Sequence, residues 1–140
     1  MIAKMALCAT VLLLGSDAES QKASSTTDFE LLQIEQNIID FTNAERVRHG
    51  RTSLQVDRGL MRSARKHAAW MTNRRSLVHT SQPVAENIAM GQRDSRQAVN
   101  AWMSSSGHRA NILNSGYSRI GAAAYRTPSG TIYWCQQFVR

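Results

Sequence analysis

The last quarter of the chain limits the fold most, because it contains two strand-forming runs joined by a short turn. The runs 117–126 (YSRIGAAAYR) and 131–140 (TIYWCQQFVR) are rich in aromatic and β-branched residues and flank Thr-Pro-Ser-Gly. This spacing predicts a β-hairpin with Pro128 and Gly130 in the turn. The upstream sequence has helical periodicity instead. Helices followed by an antiparallel hairpin predict an α+β domain built of packed layers.

Two helices are predicted in the first half of the chain. The first runs from Asp28 to about His49, with apolar residues at spacings of three and four and Gly50 as the stop. A short extended piece at 53–57 leads to Asp57, which we expect to cap a second helix that ends near Asn73. The segment 74–84, which contains a proline, is predicted to be a loop.

The middle of the chain predicts shorter helical pieces. The segment 85–91 (AENIAMG) is apolar around one acid and predicts a single helical turn. Asp94 is expected to cap a third helix, and Gly107 to interrupt it. The segment 108–113 (HRANIL) then fits a short helix capped by Ser106.

The first 18 residues have the pattern of a secretory signal peptide, with one lysine, an apolar run at 5–14, and small residues at Ser16 and Ala18. The run is shorter than the roughly 20 residues that span a membrane. A lipid anchor at Cys8 fits less well, because Leu7 is a poor neighbour for that cleavage. We therefore expect secretion, to the exterior or the periplasm, and no membrane span after cleavage. The expected division is signal 1–18, flexible leader 19–27 and folded domain 28–140.

Cleavage would leave Cys135 as the only cysteine, so an internal disulfide would be impossible. Core packing must then stabilise the domain. A reactive thiol and an intermolecular link remain open for Cys135. We favour a buried small hydrophobic side chain on a strand.

The formal net charge is +7. From Arg58 onward, the sequence contains twelve Lys and Arg residues but only two acids, Glu86 and Asp94. Such a surface attracts anionic partners, and an envelope polysaccharide or a lipid fits an exported protein. No nucleic acid partner is expected, because the chain lacks an aromatic and basic reading motif.

The candidate site combines two of the four histidines with one carboxylate. His49 at a helix end and His67 within a helix have sufficient structural roles. His79 and His108 lie in or beside loops. Glu86 is embedded among apolar residues, where a carboxylate needs a partner such as an imidazole. These two imidazoles and the carboxylate would also supply three ligands for a zinc ion, with a position open for water.

The serines before His108 suggest a Ser–His–Glu hydrolase as an alternative. Ser104, Ser105 and Ser106 are more simply explained as residues that end one helix and begin the next. Nothing in the sequence is typical of a strand-to-helix nucleophile elbow. We therefore disfavour a nucleophilic serine.

Taken in order, several short motifs resemble the CAP superfamily, which comprises cysteine-rich secretory proteins, antigen 5 and pathogenesis-related 1 proteins (SCP domains). Each motif is weak alone, but the ordered set is specific and covers about 30–139, with compact bacterial members the most similar. The motifs are FTNAERVRHG, HAAWM, VHT, AENIAMG, AWMSSSGHRANIL, YSRIGAAA and YWCQQF.

The resemblance implies an α-β-α sandwich with a small antiparallel sheet between helical layers. It also implies a cleft lined by histidines and acids, which in relatives can hold zinc. Matched residue by residue, the cleft histidines are His79 and His108, and the Glu-Asn motif is Glu86 and Asn87.

The sequence departs from the family at two points near this cleft. Larger members have a second glutamate shortly after the tryptophan of the third helix, but here Trp102 is followed by Met-Ser-Ser. After the second histidine, Arg109-Ala-Asn replaces the aromatic residue and Thr-Gln of many eukaryotic members. The cleft set is therefore reduced to three residues, and the nearby Arg109 adds positive charge. Both departures weaken a cation site.

Three functions remain open. The chain could be a secreted binding module for an anionic envelope component. It could be a metal-assisted hydrolase of peptides or cell wall, in which His79 and His108 hold the ion and Glu86 ligates or acts as base. The trio could instead be a structural hydrogen-bond network. The reduced ligand set favours the binding module over catalysis.

Overall fold

Four helices and four strands make up residues 29–140, which are the residues described by this computed structural model. The predicted signal and leader, and the predicted cap Asp28, lie outside them. In 29–140 no helix is long and apolar enough to cross a membrane. The elements are α1 Gln33–Arg48, β1 Gln55–Val56, α2 Arg58–Arg74, β2 Ala85–Met90, α3 Ser95–Met103, α4 Ser106–Ile112, β3 Arg119–Arg126 and β4 Ile132–Val139.

The predicted hairpin is confirmed and forms the centre of the sheet. Strands β3 and β4 pair antiparallel along their whole length, and the turn contains Gly130 at φ +95°. The strand order is β1-β3-β4-β2. Strand β2 runs antiparallel to β4, whereas the two-residue strand β1 runs parallel to β3. The predicted antiparallel sheet is therefore mixed at one edge.

The helical turn predicted for 85–91 is wrong, because this segment is strand β2. Each residue from Ala85 to Met90 has a partner on β4. Both faces of the strand are covered by helices, so apolar residues occur on both sides and the alternation typical of a half-exposed strand is lost. Gly91, at φ +95°, ends the strand.

Helices cover both faces of the sheet, which confirms the predicted α-β-α sandwich. Helix α2 packs on one face through small and flexible side chains, namely Ala64, Ala68 and Met71 against Ile88, Ala123, Tyr133 and Cys135. The helices α1, α3 and α4 cover the other face over a larger core that includes Trp102, Trp134 and Phe138. Helix α2 lies so close to β3 that a Cβ on Gly121 would overlap the backbone of Leu60.

The helix ends were predicted with mixed success. Asp57 and Asp94 cap α2 and α3, accepting from backbone amides at 2.8 Å as expected. Helix α1 starts at Gln33 rather than near 28, and Glu35 accepts the Leu32 amide at 2.9 Å. Two details around α4 are wrong. Its N-cap is Ser105, not Ser106, and Gly107 lies inside this helix rather than interrupting α3.

Candidate functional site

Glu86 lies at the centre of the candidate site, on the face of the sheet covered by α2. In the strand register it stands beside Gln137 of β4, which is beside Gly121 of β3. Residues alternate between faces along β2, so Glu86 and Ile88 share the α2 face. Glu86 is 7% exposed, which requires that its carboxylate be fully paired.

Four protein groups donate hydrogen bonds to this carboxylate. The His79 Nδ1 and the Thr80 amide lie 2.9 Å from Oε1. The Gln137 Nε2 lies 2.9 Å from Oε2, and the Cys135 thiol donates to Oε2 at 3.5 Å. Glu86 therefore ties the loop after α2 to strand β4.

These donors keep the carboxylate ionised. Burial by itself raises the pKa of Glu86, because it removes water from the charged form. Hydrogen bonds from Gln137, the Thr80 amide and His79 act in the opposite direction, and the nearby charge of His67 adds to them. The net result is a pKa below the usual value for glutamate.

The two histidines beside Glu86 are held in different ways. The His79 side chain is 61% exposed, and its Nδ1 bond to Glu86 leaves Nε2 free of that carboxylate. The predicted packing of His67 is confirmed, since its side chain is 10% exposed and its Nε2 donates to the Val78 carbonyl at 2.8 Å. The same Nε2 lies 3.7 Å from Glu86 Oε1. His67 is thus part of the site, which the sequence analysis did not predict.

His108 lies on α4 and is half-buried. Its pKa is lowered, first by burial and then by the charge of His79, so the neutral imidazole is favoured. Within 29–140 no hydrogen bond joins the His108 side chain to Glu86 or His79. In the same residues no group of three His, Cys, Asp or Glu side chains is placed to hold a metal ion.

Asn87 lies on the opposite face of the sheet from Glu86, in a separate network of amides. Its Nδ2 donates to the His108 carbonyl at 3.0 Å and to Gln136 Oε1 at 2.9 Å, and its Oδ1 accepts from Asn111 at 2.9 Å. Gln136 in turn donates to the Thr42 hydroxyl at 2.9 Å. Asn87 therefore fixes α4 against the sheet.

The remaining candidates lie away from the carboxylate. Arg109 is exposed on α4, where its guanidinium is 3.1 Å from His49 Nε2. Ser104 donates to the Asn100 carbonyl at 2.9 Å, as expected for a helix-ending serine. Cys135 is fully buried on β4, as predicted. Burial, together with the Glu86 charge, raises its pKa well above the usual thiol value, so it remains a protonated donor.

The comparisons with known proteins agree on one family. The sequence profile described as the cysteine-rich secretory protein family (CAP) matches residues 39–138. The protein YkwD of Bacillus subtilis, which bears the designation uncharacterized, is 34% identical over 87% of this chain and 54% of its own length. The membrane protein YlbC of the same bacterium is 30% identical over 89% of this chain and 38% of its own length. The chain thus spans about half or less of these relatives.

Solved structures show the same fold. An extracellular SCP-domain protein from Bacillus anthracis is 28% identical, with a TM-score of 0.68 over 76% of this chain and 40% of that one.

Proposed function

Because the chain belongs to the cysteine-rich secretory protein (CAP) family, we propose that it is an exported binding module for an anionic component of the cell envelope. The signal pattern in the first 18 residues and the net charge of +7 support this proposal. The extracellular SCP-domain protein from Bacillus anthracis also supports it. The module would act outside the cytoplasm, in the periplasm or beyond the cell.

The observation that carries a binding role is the saturation of Glu86. Both carboxylate oxygens already accept hydrogen bonds from the protein. A general base needs an oxygen that reaches the proton it removes, and a metal ligand needs a lone pair aimed at the ion. Glu86 instead holds His79 and the loop in place, which favours a preformed recognition surface over turnover.

A zinc ion at this site would have only His79 and His108 as protein ligands, fewer than the three usual for a catalytic zinc, so we expect weak binding. His79 presents an exposed ring, and its Nδ1 bond to Glu86 is the orienting contact typical of metal-bound histidines. The lowered pKa of His108 keeps a neutral ring available. In this proposal Glu86 orients His79 and does not ligate the ion.

A metal-assisted hydrolase is the second candidate. It is favoured by the same His79 geometry, since a carboxylate that orients Nδ1 leaves Nε2 to ligate an ion that would activate a water. In that function Glu86→Gln would abolish turnover of peptide or cell-wall substrates.

Isolated bacterial envelopes distinguish the two functions. The purified chain is mixed with envelopes, the suspension is sedimented, and the supernatant is searched for released fragments by mass spectrometry. We expect sedimentation that weakens with salt and no released fragments. Fragments released by the wild type but not by Glu86→Gln would establish the hydrolase, and a chain that stays in the supernatant would overturn the binding role.

Zinc binding is tested by calorimetric titration of zinc into His79→Ala and His108→Ala, with His49→Ala as the control. We expect both cleft variants to lose zinc binding and the control to retain it. Equal zinc uptake by all three would exclude the proposed ligands. A large fall in melting temperature of the cleft variants, with and without chelator, would identify the trio as a structural network.

A further inference from the structure

A groove of about 590 Å³ lies between α2 and the loop that follows it. This volume is within the range of pockets that enclose a small ligand, roughly 300–1,000 Å³. His67 and His79 line the groove, and both contact Glu86, so the carboxylate fixes one wall. The lining residues are Arg62, Ser63, Lys66, His67, Trp70, His79, Thr80, Ser81 and Gln82.

The groove carries positive charge that the described protein does not neutralise. Arg62 and Lys66 are exposed, and neither forms an ion pair with another residue in 29–140. Among residues 29–140 no acid lines the groove, and the sequence of α2 contains none. Glu86 is the nearby acid, but its oxygens are occupied by hydrogen bonds. The groove is therefore suited to a carboxylate or a phosphate.

Trp70 adds a flat apolar surface to this charged groove. It is 43% exposed, which is unusual for an indole, whereas Trp102 and Trp134 are buried. Its ring stacks on His67 with centroids 5.8 Å apart and planes 9° apart. His67 is itself fixed by its bond to the Val78 carbonyl. The His67 ring thus supports one side of the indole.

The other lining side chains are small hydrogen-bonding groups: Ser63, Thr80, Ser81 and Gln82. Hydroxyls and amides both donate and accept, as do the hydroxyls of a sugar. The C–H face of a pyranose ring carries a slight positive charge and packs against the negative face of an aromatic ring. Leu77 and Val78 are exposed on the same loop but do not line the groove. The lining therefore favours a saccharide over an acyl chain.

We propose that this groove binds an anionic saccharide, with Trp70 stacking on a sugar ring and Arg62 and Lys66 binding its carboxylate or phosphate. This inference rests on the proposed function as an envelope-binding module and names the surface and the ligand class.

Calorimetry with defined oligosaccharides tests the ligand class. The probes are tetragalacturonate, which carries carboxylates, phosphorylated maltotetraose, which carries phosphates, and neutral maltotetraose. We expect at least one anionic probe to bind about tenfold or more tightly than the neutral one, with affinity falling as salt rises. The tighter of the two anionic probes identifies the acidic group. Equal binding of the neutral probe, or no binding of either anionic probe, would overturn the proposal.

Paired variants test the site. Arg62→Ala/Lys66→Ala removes two exposed groove charges, and Arg51→Ala/Arg93→Ala removes two exposed charges that lie outside the groove. We expect the groove pair to lose about tenfold in affinity for the anionic probe and the control pair to change little. Equal losses of affinity in both pairs would indicate a general effect of charge and would contradict the assignment of the groove as the binding site.

Fluorescence tests the stacking role of Trp70. Because the other two tryptophans are buried, quenching by the anionic probe reports on Trp70. We expect quenching in the wild type and none in Trp70→Ala, which should also bind about tenfold more weakly. Unchanged affinity of Trp70→Ala would contradict the stacking.

Three further outcomes separate this inference from the proposed function. Envelope binding that is retained by Arg62→Ala/Lys66→Ala would be consistent with the proposed binding function but would contradict the groove as its site. Binding to phosphatidylglycerol vesicles without binding to any saccharide would assign the surface to a membrane instead. Loss of envelope binding by the wild type would reject the proposed function, whatever the groove binds.

Discussion

Glu86 and Asn87 are neighbours on one strand, yet they organise two different kinds of polar network on the two faces of the sheet. Glu86 is charged, and one of its partners, His79, is 61% exposed at the surface. Asn87 is neutral and fully buried, and it connects α4, β4 and, through Gln136, helix α1. One network includes a largely exposed side chain, whereas the other consists of buried and half-buried groups.

The difference shows how the chemistry of a side chain determines the partners that it needs when it is buried. An amide donates and accepts, so the Asn87 network can close on itself without leaving a charge buried. A carboxylate only accepts, so every partner of Glu86 must donate. That requirement places a proton on His79 Nδ1, the nitrogen that faces Glu86, and Nε2 has no bond to the carboxylate.

Replacing Asn87 should break the buried network and produce the largest effect. Asn87→Leu keeps a similar volume but leaves the His108 carbonyl and Gln136 Oε1 without their donor. Each buried polar group left unpaired costs roughly 1–3 kcal/mol, so we expect a loss of about 4 kcal/mol. Urea denaturation of the variant and the wild type measures the free energy of unfolding. A loss below about 1 kcal/mol would show that the network does not hold α4.

Adding a methyl group at Gly121, on the face of the sheet covered by α2, should have the next largest effect on stability. Gly121→Ala places a methyl group against the Leu60 backbone, which cannot move aside as a side chain could. We expect a loss of about 3 kcal/mol, at the upper end of overpacking effects, and a shift of α2 away from β3. Gly116→Ala is a useful comparison, since Gly116 lies in an exposed loop. Denaturation curves measure both variants, and equal stability of the two would contradict the close packing of α2.

Neutralising Glu86 should have the smallest effect and a distinctive pH dependence. Glu86→Gln replaces a charged acceptor by a neutral group, and we expect a loss of about 1.5 kcal/mol near neutral pH. The pKa of Glu86 is lower in the folded state than the ordinary value of 4.5. Its stabilisation is therefore fully present above pH 4.5 and is lost as pH falls through the folded pKa.

Denaturation of both proteins from pH 7 to pH 3 measures this dependence. The advantage of the wild type over Glu86→Gln should shrink on acidification. A constant difference across that range would mean that the lowered pKa does not contribute to stability.

Local patterns predicted the hairpin, the Asp57 and Asp94 caps and the burial of Cys135, because each depends on residues close in sequence. Strand β2 was predicted as a helical turn because helices cover both of its faces, so its apolar residues do not alternate with polar ones. Its identity comes from pairing with β4, about 50 residues later.

The site was predictable only in part for the same reason. Glu86 needed a partner, and His79 supplies one. The contributions of Gln137 and Cys135 depend on the register of β2 against β4, which no local pattern fixes. The one available signal was the alternation along β4, which places Cys135 and Gln137 on the same face.

The sheet order also determines when folding can begin. Among the elements of residues 29–140 the two central strands come last in the chain, and the flanking strands β1 and β2 do not pair with each other. A nascent chain that ends before Arg119 therefore has no partner for either edge and cannot assemble the sheet. Pairing of the sheet therefore waits until both strands of the β3–β4 hairpin have been synthesised.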